Sequence, residues 1–337
     1  MTESHETILV ETDARGVATV TLNRPDKHNA LNGDLIAELY SAAVKLAADD
    51  TVRVVVLTGN GKSFCAGGDF NWFASNVEKS RAERVDQSAT LARLLRRLDT
   101  LPKPLIGKIN GPAYGGGVGM ISVCDYTIGA EGARFGLTEV RLGLLPANIS
   151  PYVVARIGKV HSRETMLSGA LFDSTRAERI GLLTEVVAAD QLDAAVEKVV
   201  HDHLQAAPGA VADTKALVAY VASHDLETNM IYTADRLADA WETEEGIEGI
   251  NSFINKAIPS WGRDRPPHPA RVPQAGAGKR GGVFGGRPRR ALRDRGRSRP
   301  VHWRGRAVGK LFERRCHPGR RPCGRGRGGA SGLWLFV

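Results

Sequence analysis

Two glycine-rich runs hold the residues of this chain best suited to chemistry: Lys62-Ser63-Phe64-Cys65-Ala66-Gly67-Gly68-Asp69 and Asn110-Gly111-Pro112-Ala113-Tyr114-Gly115-Gly116-Gly117-Val118-Gly119. Each follows an apolar stretch, and the second leads into an apolar helical pattern. Glycine lets a backbone approach a ligand closely with its N–H groups turned outward. A helix N-terminus adds unpaired donors and about half a positive charge, which favours an anion. Taken singly, either run is equally a tight turn. Two other chemistries fall away. Gly61-Lys62-Ser63 resembles the end of a phosphate-binding loop, but Val56 stands where its first glycine belongs. There is no G-x-S-x-G elbow to activate a serine, and no histidine sits beside a plausible nucleophile.

The elements that must position these runs are readable from periodicity. Thr7–Thr12 and Val17–Leu22 alternate around Asp13-Ala14-Arg15-Gly16, which predicts a β-hairpin. Asn32 reads as a helix N-cap, followed by Leu35, Leu39, Ala43 and Leu46 at helical spacing. Val52–Leu57 is apolar without alternation, as expected of a strand covered on both faces, and it ends in the first glycine-rich run. The same strand, loop and helix unit recurs at Pro104–Asn110, and more loosely at Tyr126–Ala130 followed by Gly132–Pro146. Such repetition predicts stacked strand-and-helix layers over residues 1–190. Residues 191–261 are helical in period, with Leu192, Val196, Val199 and Val200 on one face, and are expected to pack on the layers or on a neighbouring subunit.

Composition separates a third segment. Residues 262–337 carry 21 of the 46 Lys+Arg and three of the 37 Asp+Glu, so the preceding part holds 25 basic against 34 acidic residues and the basic charge belongs to the tail. The tail also has 16 of the 38 glycines and eight of the 16 prolines, a composition expected to stay disordered. Phosphate neutralisation on a nucleic acid is one reading of it. A tolerated extension, or the product of a shifted reading frame in GC-rich sequence, is the reading preferred here. His317 between Cys316 and Cys323 lacks the second pair that a zinc site needs. Four scattered cysteines and no charged-then-apolar leader point to a reducing cytoplasm. No window holds the ~18 consecutive apolar residues of a spanning helix.

In sequence order, the motifs Asn23-Arg24-Pro25 with Asn29-Ala30-Leu31, Phe64 to Asp69, Asn110-Gly111 through the triple glycine, Cys124-Asp125, Phe135-Gly136-Leu137-Thr138-Glu139 and Pro259-Ser260-Trp261 resemble the crotonase (enoyl-CoA hydratase/isomerase) family over residues 6–261. Trp72, Thr138–Leu144 and Pro146–Val154 are most similar to its bacterial methylglutaconyl-CoA hydratases. The resemblance implies an α/β fold, a layered β-spiral of ββα repeats with a C-terminal helical trimerisation region, assembled as a homotrimer or hexamer. It implies reversible addition of water to a 2-enoyl-CoA. Double-bond isomerisation is the alternative, and a non-catalytic acyl-CoA- or RNA-binding relative is a third reading. Coenzyme A would be part of the substrate, so no separate cofactor and no metal is implied.

Residue by residue, the resemblance implies an oxyanion hole at the backbone amides of Ala66 and Gly116 and proton transfer by Glu139. CoA would lie near Arg24 and Lys27 and thread past Ala66, Gly67, Gly68 and Asp69. Trp72 would line the acyl pocket, while Asp69 would close its loop by accepting backbone N–H bonds. Glu139 stands among Leu137, Val140 and Leu142, where desolvation would raise its pKa. One departure matters: hydratases of the best-known type carry a second Glu where this chain has Gly119. The expectation is a gap at Gly119, filled by a substrate carboxylate, an ordered water or the Ser150 hydroxyl.

Overall fold

The computed structural model describes residues 3–4 and 6–262. The strands are β1 (Glu3–Ser4), β2 (Ile8–Thr12), β3 (Val17–Leu22), β4 (Val54–Gly59), β5 (Leu105–Ile109), β6 (Ala113–Tyr114), β7 (Tyr126–Ala130), β8 (Arg134–Gly136), β9 (Phe172–Asp173) and β10 (Glu185–Val187). The helices are α1 (Gly33–Ala48), α2 (Phe70–Val77), α3 (Arg81–Asp99), α4 (Gly116–Ser122), α5 (Ser150–Ser168), α6 (Ser174–Arg179), α7 (Leu192–Leu204), α8 (Pro208–Val221), α9 (Leu226–Glu242) and α10 (Glu244–Ile254). The basic segment expected at 262–337 lies, after Gly262, outside the described residues, as do Cys316, His317 and Cys323.

Seven strands form one sheet in the order β1-β2-β3-β4-β5-β7-β10, and β6-β8-β9 form a second. The hairpin of β2 and β3 is antiparallel, while β3 to β4, β4 to β5, β5 to β7 and β7 to β10 are parallel. Its turn is held by Asp13 Oδ1, which accepts from Arg15 N at 2.9 Å and Val17 N at 3.0 Å. The strand expected at 52–57 begins two residues later, because Val52 N–H is drawn into a turn on Asp49 O and Val54 is the first residue to register with Val17.

The unalternating apolar run of β4 is explained by two cores, one on each sheet face. Val55 and Leu57 join the larger core with residues of α1, α3, α4 and α5, whereas Val54 and Val56 meet Ile106, Ile128 and the α7 stripe Leu192, Val196, Val199 and Val200. Successive strand residues point to opposite faces, so a strand roofed twice must be apolar throughout. Each such aliphatic side chain contributes about 1.5–3 kcal/mol on full burial. Helix α1 starts where expected, Asn32 Oδ1 accepting from Leu35 N at 3.0 Å. Helix α5 is broken at Gly158, whose φ is +73°. Helices α8, α9 and α10 contain no buried residue.

Candidate active site

The two glycine-rich runs are laced to each other and to the turn before α1. Tyr114 N donates to Cys65 O at 2.9 Å, and Phe64 N and Cys65 N donate to Pro112 O. Leu31 N donates to Gly67 O at 2.7 Å, and Asp69 N donates to Leu31 O at 2.9 Å. Gly115 N donates to Gly136 O at 2.9 Å, which ties the second run to β8 just before Glu139. This lacing corrects one expectation. The Ala66 N–H is spent on His28 O at 2.9 Å and is not available as an oxyanion donor. Gly68 N–H, beside the bridge to Leu31, and Gly116 N–H, at the first position of α4, are among the amides of these runs without a backbone partner among the described residues.

Glu139 comes to the same point from the other side. It opens a 3₁₀ turn, Glu139–Leu142, closed by Gly143 at φ +73° and by Leu144 N donating to Glu139 O. A Cβ placed on Gly115 would lie 2.9 Å from Glu139 Oε1 and 3.9 Å from Gly67 Cα. The carboxyl therefore sits over the residue preceding the Gly116 donor, beside the first run, and the vacant Gly115 side-chain position makes room for it. Burial pushes the Glu139 carboxyl above its ordinary value, and a bond from its own backbone N–H pulls it back by less. Its Oε2 is buried with no partner among the described residues. Of the apolar neighbours expected around it, Leu137 is fully buried, whereas Leu142 is half exposed.

Gly119 does not leave a gap. A Cβ there would lie 2.3 Å from Ile149 Cγ2 and 2.9 Å from Ile149 Cβ, with Leu95 next. The slot is filled by buried hydrocarbon, so neither water nor a substrate carboxylate has room in it. Ser150 Oγ donates to Ala147 O at 2.8 Å within its own turn rather than toward Gly119. Asn148 pins this segment by donating to Ser88 O and Oγ on α3.

Arg24, Lys27, Asp69 and Trp72 do come together, bounding a cavity of about 500 Å³ with Asn32 and Gln87. Arg24 faces inward: its guanidinium donates to Ala30 O and pairs with Asp69 Oδ2 at 2.9 Å. Asp69 also caps α2, accepting from Asn71 N at 2.9 Å and Trp72 N at 3.4 Å. Burial alone would raise the Asp69 carboxyl, but Arg24 and those amides outweigh it and hold it below its ordinary value. The structural role expected of Asp69 fits this bonding. The Trp72 indole N–H is buried and partnerless among the described residues. A second cavity, about 440 Å³, lies under α7, where Arg15 pairs with Glu197 and Lys108 with Asp193.

Sequence reasoning missed Ile149 as the plug over Gly119 and Phe73 as the cover over Gly68, where a Cβ would lie 2.1 Å from the ring. Both are apolar residues whose partner is a distant glycine, and no local pattern marks such a pair. The bonding role of Asn29, which the sequence showed only as part of the Asn29-Ala30-Leu31 motif, was likewise not read.

Comparison with known proteins bears on the same residues. The sequence pattern of the enoyl-CoA hydratase/isomerase family matches residues 12–264. The chain is 31% identical over 261 residues to 2,3-dehydroadipyl-CoA hydratase of Escherichia coli, covering 75% of this chain and 98% of that one. It is 31% identical over 255 residues to crotonyl-CoA hydratase of Syntrophomonas wolfei, covering 75% and 96%. The crystal structure of an enoyl-CoA hydratase from Shewanella pealeana superposes with a TM-score of 0.74 at 33% identity, over 76% of this chain and 96% of that one.

Proposed function

The chain belongs to the enoyl-CoA hydratase/isomerase family, and from that premise we propose that it adds water reversibly across the C2–C3 double bond of a 2-enoyl-CoA thioester. The observation that carries the reading is the Glu139 carboxyl lying against Gly115, next to Gly67, the residues that precede the Gly116 and Gly68 N–H groups. As water attacks C3, Glu139 takes one of its protons and the electron pair of the double bond moves toward the thioester oxygen. Gly68 N–H and Gly116 N–H donate to that oxyanion as its charge develops. Glu139 then returns the proton to C2, so that OH ends on C3 and H on C2. One preorganised donor of this kind is worth about 3–4 kcal/mol in the transition state. The raised Glu139 pKa suits a group that must both accept and give a proton. The orphaned Trp72 N–H and Glu139 Oε2 are polar groups that a bound thioester or water would satisfy.

The hydrocarbon plug at Ile149 favours a second reading, migration of a double bond from C3–C4 to C2–C3. That reaction needs one carboxylate and no water: Glu139 takes a proton from C2 and delivers it to C4. Incubation with crotonyl-CoA in ¹⁸O-labelled water separates the two. Hydration puts label on the C3 hydroxyl. If no 2-enoyl-CoA takes up label while a 3-enoyl-CoA becomes its 2-enoyl isomer, isomerisation replaces hydration.

The reading extends to self-association as a homotrimer or hexamer. Its support is the C-terminal helices, where Leu226, Met230, Leu237 and Trp241 on α9 and Phe253 and Ile254 on α10 are all exposed. A face of that size on a chain with a sound core elsewhere fits a partner surface.

A further inference from the structure

We propose that Asn29 is a positioning residue for the Gly68 N–H, acting through Leu31. The inference rests on the reading of Gly68 as an oxyanion donor. Asn29 is fully buried, at 0% exposure, and its carboxamide makes three hydrogen bonds. Nδ2 donates to Asn60 O at 2.9 Å and to Ser63 O at 2.8 Å, and Oδ1 accepts from Arg24 N at 2.9 Å. Asn60 and Ser63 bracket the turn that opens the first glycine-rich run, so one side chain fixes the base of that run to the chain two residues before Leu31.

Leu31 completes the transmission. Its N–H donates to Gly67 O and its carbonyl accepts from Asp69 N, the two residues on either side of Gly68. In a strand-like pairing alternate peptide groups point to opposite edges, so spending Gly67 O and Asp69 N on Leu31 turns the Gly68 N–H to the other edge. Gly68 has no side chain of its own to hold it, and a Cβ there would have to displace the Phe73 ring. The backbone conformation at Asn29 agrees with a specified role. His28 and Asn29 are consecutive non-glycine residues in the left-handed region, at φ +50° and +57°. Such residues persist where the surroundings over-determine them, and Asn is among the few types that tolerate the region. The fit around the amide is close: a Cβ on Gly59 would lie 2.8 Å from Asn29 Nδ2.

The test uses the full chain with butyryl-CoA, a saturated thioester that does not react, labelled with ¹³C at the carbonyl. Infrared difference spectra read how strongly the bound carbonyl is polarised. Asn29→Asp keeps the acceptor and loses both donors, while Asn29→Gly keeps the left-handed backbone and deletes the amide. In both, the bound-carbonyl shift is expected to fall below half that of the parent. kcat with crotonyl-CoA should fall about 10- to 100-fold while KM stays within about threefold, because a misplaced donor is lost in the transition state rather than in binding. Glu139→Gln should lose turnover and keep the carbonyl shift. Folded Asn29 variants with the full shift would overturn the assignment to Asn29 alone. Failure of both variants to fold would overturn it too, since the residue would then serve the fold rather than the donor. Absence of any shift in the parent protein would sink the oxyanion reading itself.

Discussion

Glu139 combines a partly buried carboxyl, an orphaned oxygen and a raised pKa, and each has a measurable result. Glu139→Gln is expected to bind CoA esters and to lower kcat by about two to four orders of magnitude, since it removes the proton carrier without changing shape. The same variant should be more stable than the parent at neutral pH. A carboxyl whose folded pKa lies above its unfolded value, about 4.3, contributes stability that is present below that value and lost as pH rises through the folded one. Thermal melts of the pair should therefore diverge at pH 7.5 and converge toward pH 4; a variant less stable at pH 7.5 would show the carboxylate is well solvated. Gly115 is the second sensitive residue, with φ +48° and the Glu139 oxygen 2.9 Å from any Cβ. Gly115→Ala should lower kcat about 10- to 100-fold by displacing the carboxyl, and unchanged turnover would place Glu139 elsewhere in the working enzyme. At this scale the sequence disclosed residue types but not directions. The motif order singled out Glu139 and Gly116, yet that Ala66 N–H is spent on His28 O and that Gly68 N–H is turned away from Leu31 depend on contacts that span more than thirty residues.

Elements were more legible than contacts. The hairpin, the Asn32 cap and the α7 stripe follow from local rules of alternation, capping and helical spacing, and each is present. β4 was displaced by two residues because its start is set by pairing with β3, a tertiary choice. The packing of α4 against the chain leading into α5 had no local signal: a gap expected at Gly119 is closed by Ile149. That pair behaves as one unit of volume. Gly119→Ala should destabilise the fold by about 1–3 kcal/mol in urea titrations, as an added methyl does in a close-packed core. Combined with Ile149→Ala, which removes the Cγ2 that the new methyl would meet, it should cost less than the sum of the two single changes, and strict additivity would argue that they do not touch.

For the whole molecule, the exposed faces of α9 and α10 determine what a solution measurement should see. Trp241→Glu combined with Phe253→Glu is expected to shift the protein to monomer on size exclusion, with the core still folded by circular dichroism; an unchanged elution volume would remove these helices from the interface. A chain ended after Trp261 should keep both assembly and turnover, and loss of either would assign residues 262–337 a part in them. The lacing of the site has a kinetic consequence as well. Leu31 to Gly67, Cys65 to Tyr114 and Gly115 to Gly136 are joined across 36, 49 and 21 residues of chain. Loop closure over such spans is slow relative to helix formation, so the donors and Glu139 meet only after most of the chain has collapsed. A nascent chain that has not yet released Gly136 has no site at all, and during refolding the helical signal will return before the capacity to polarise a thioester does.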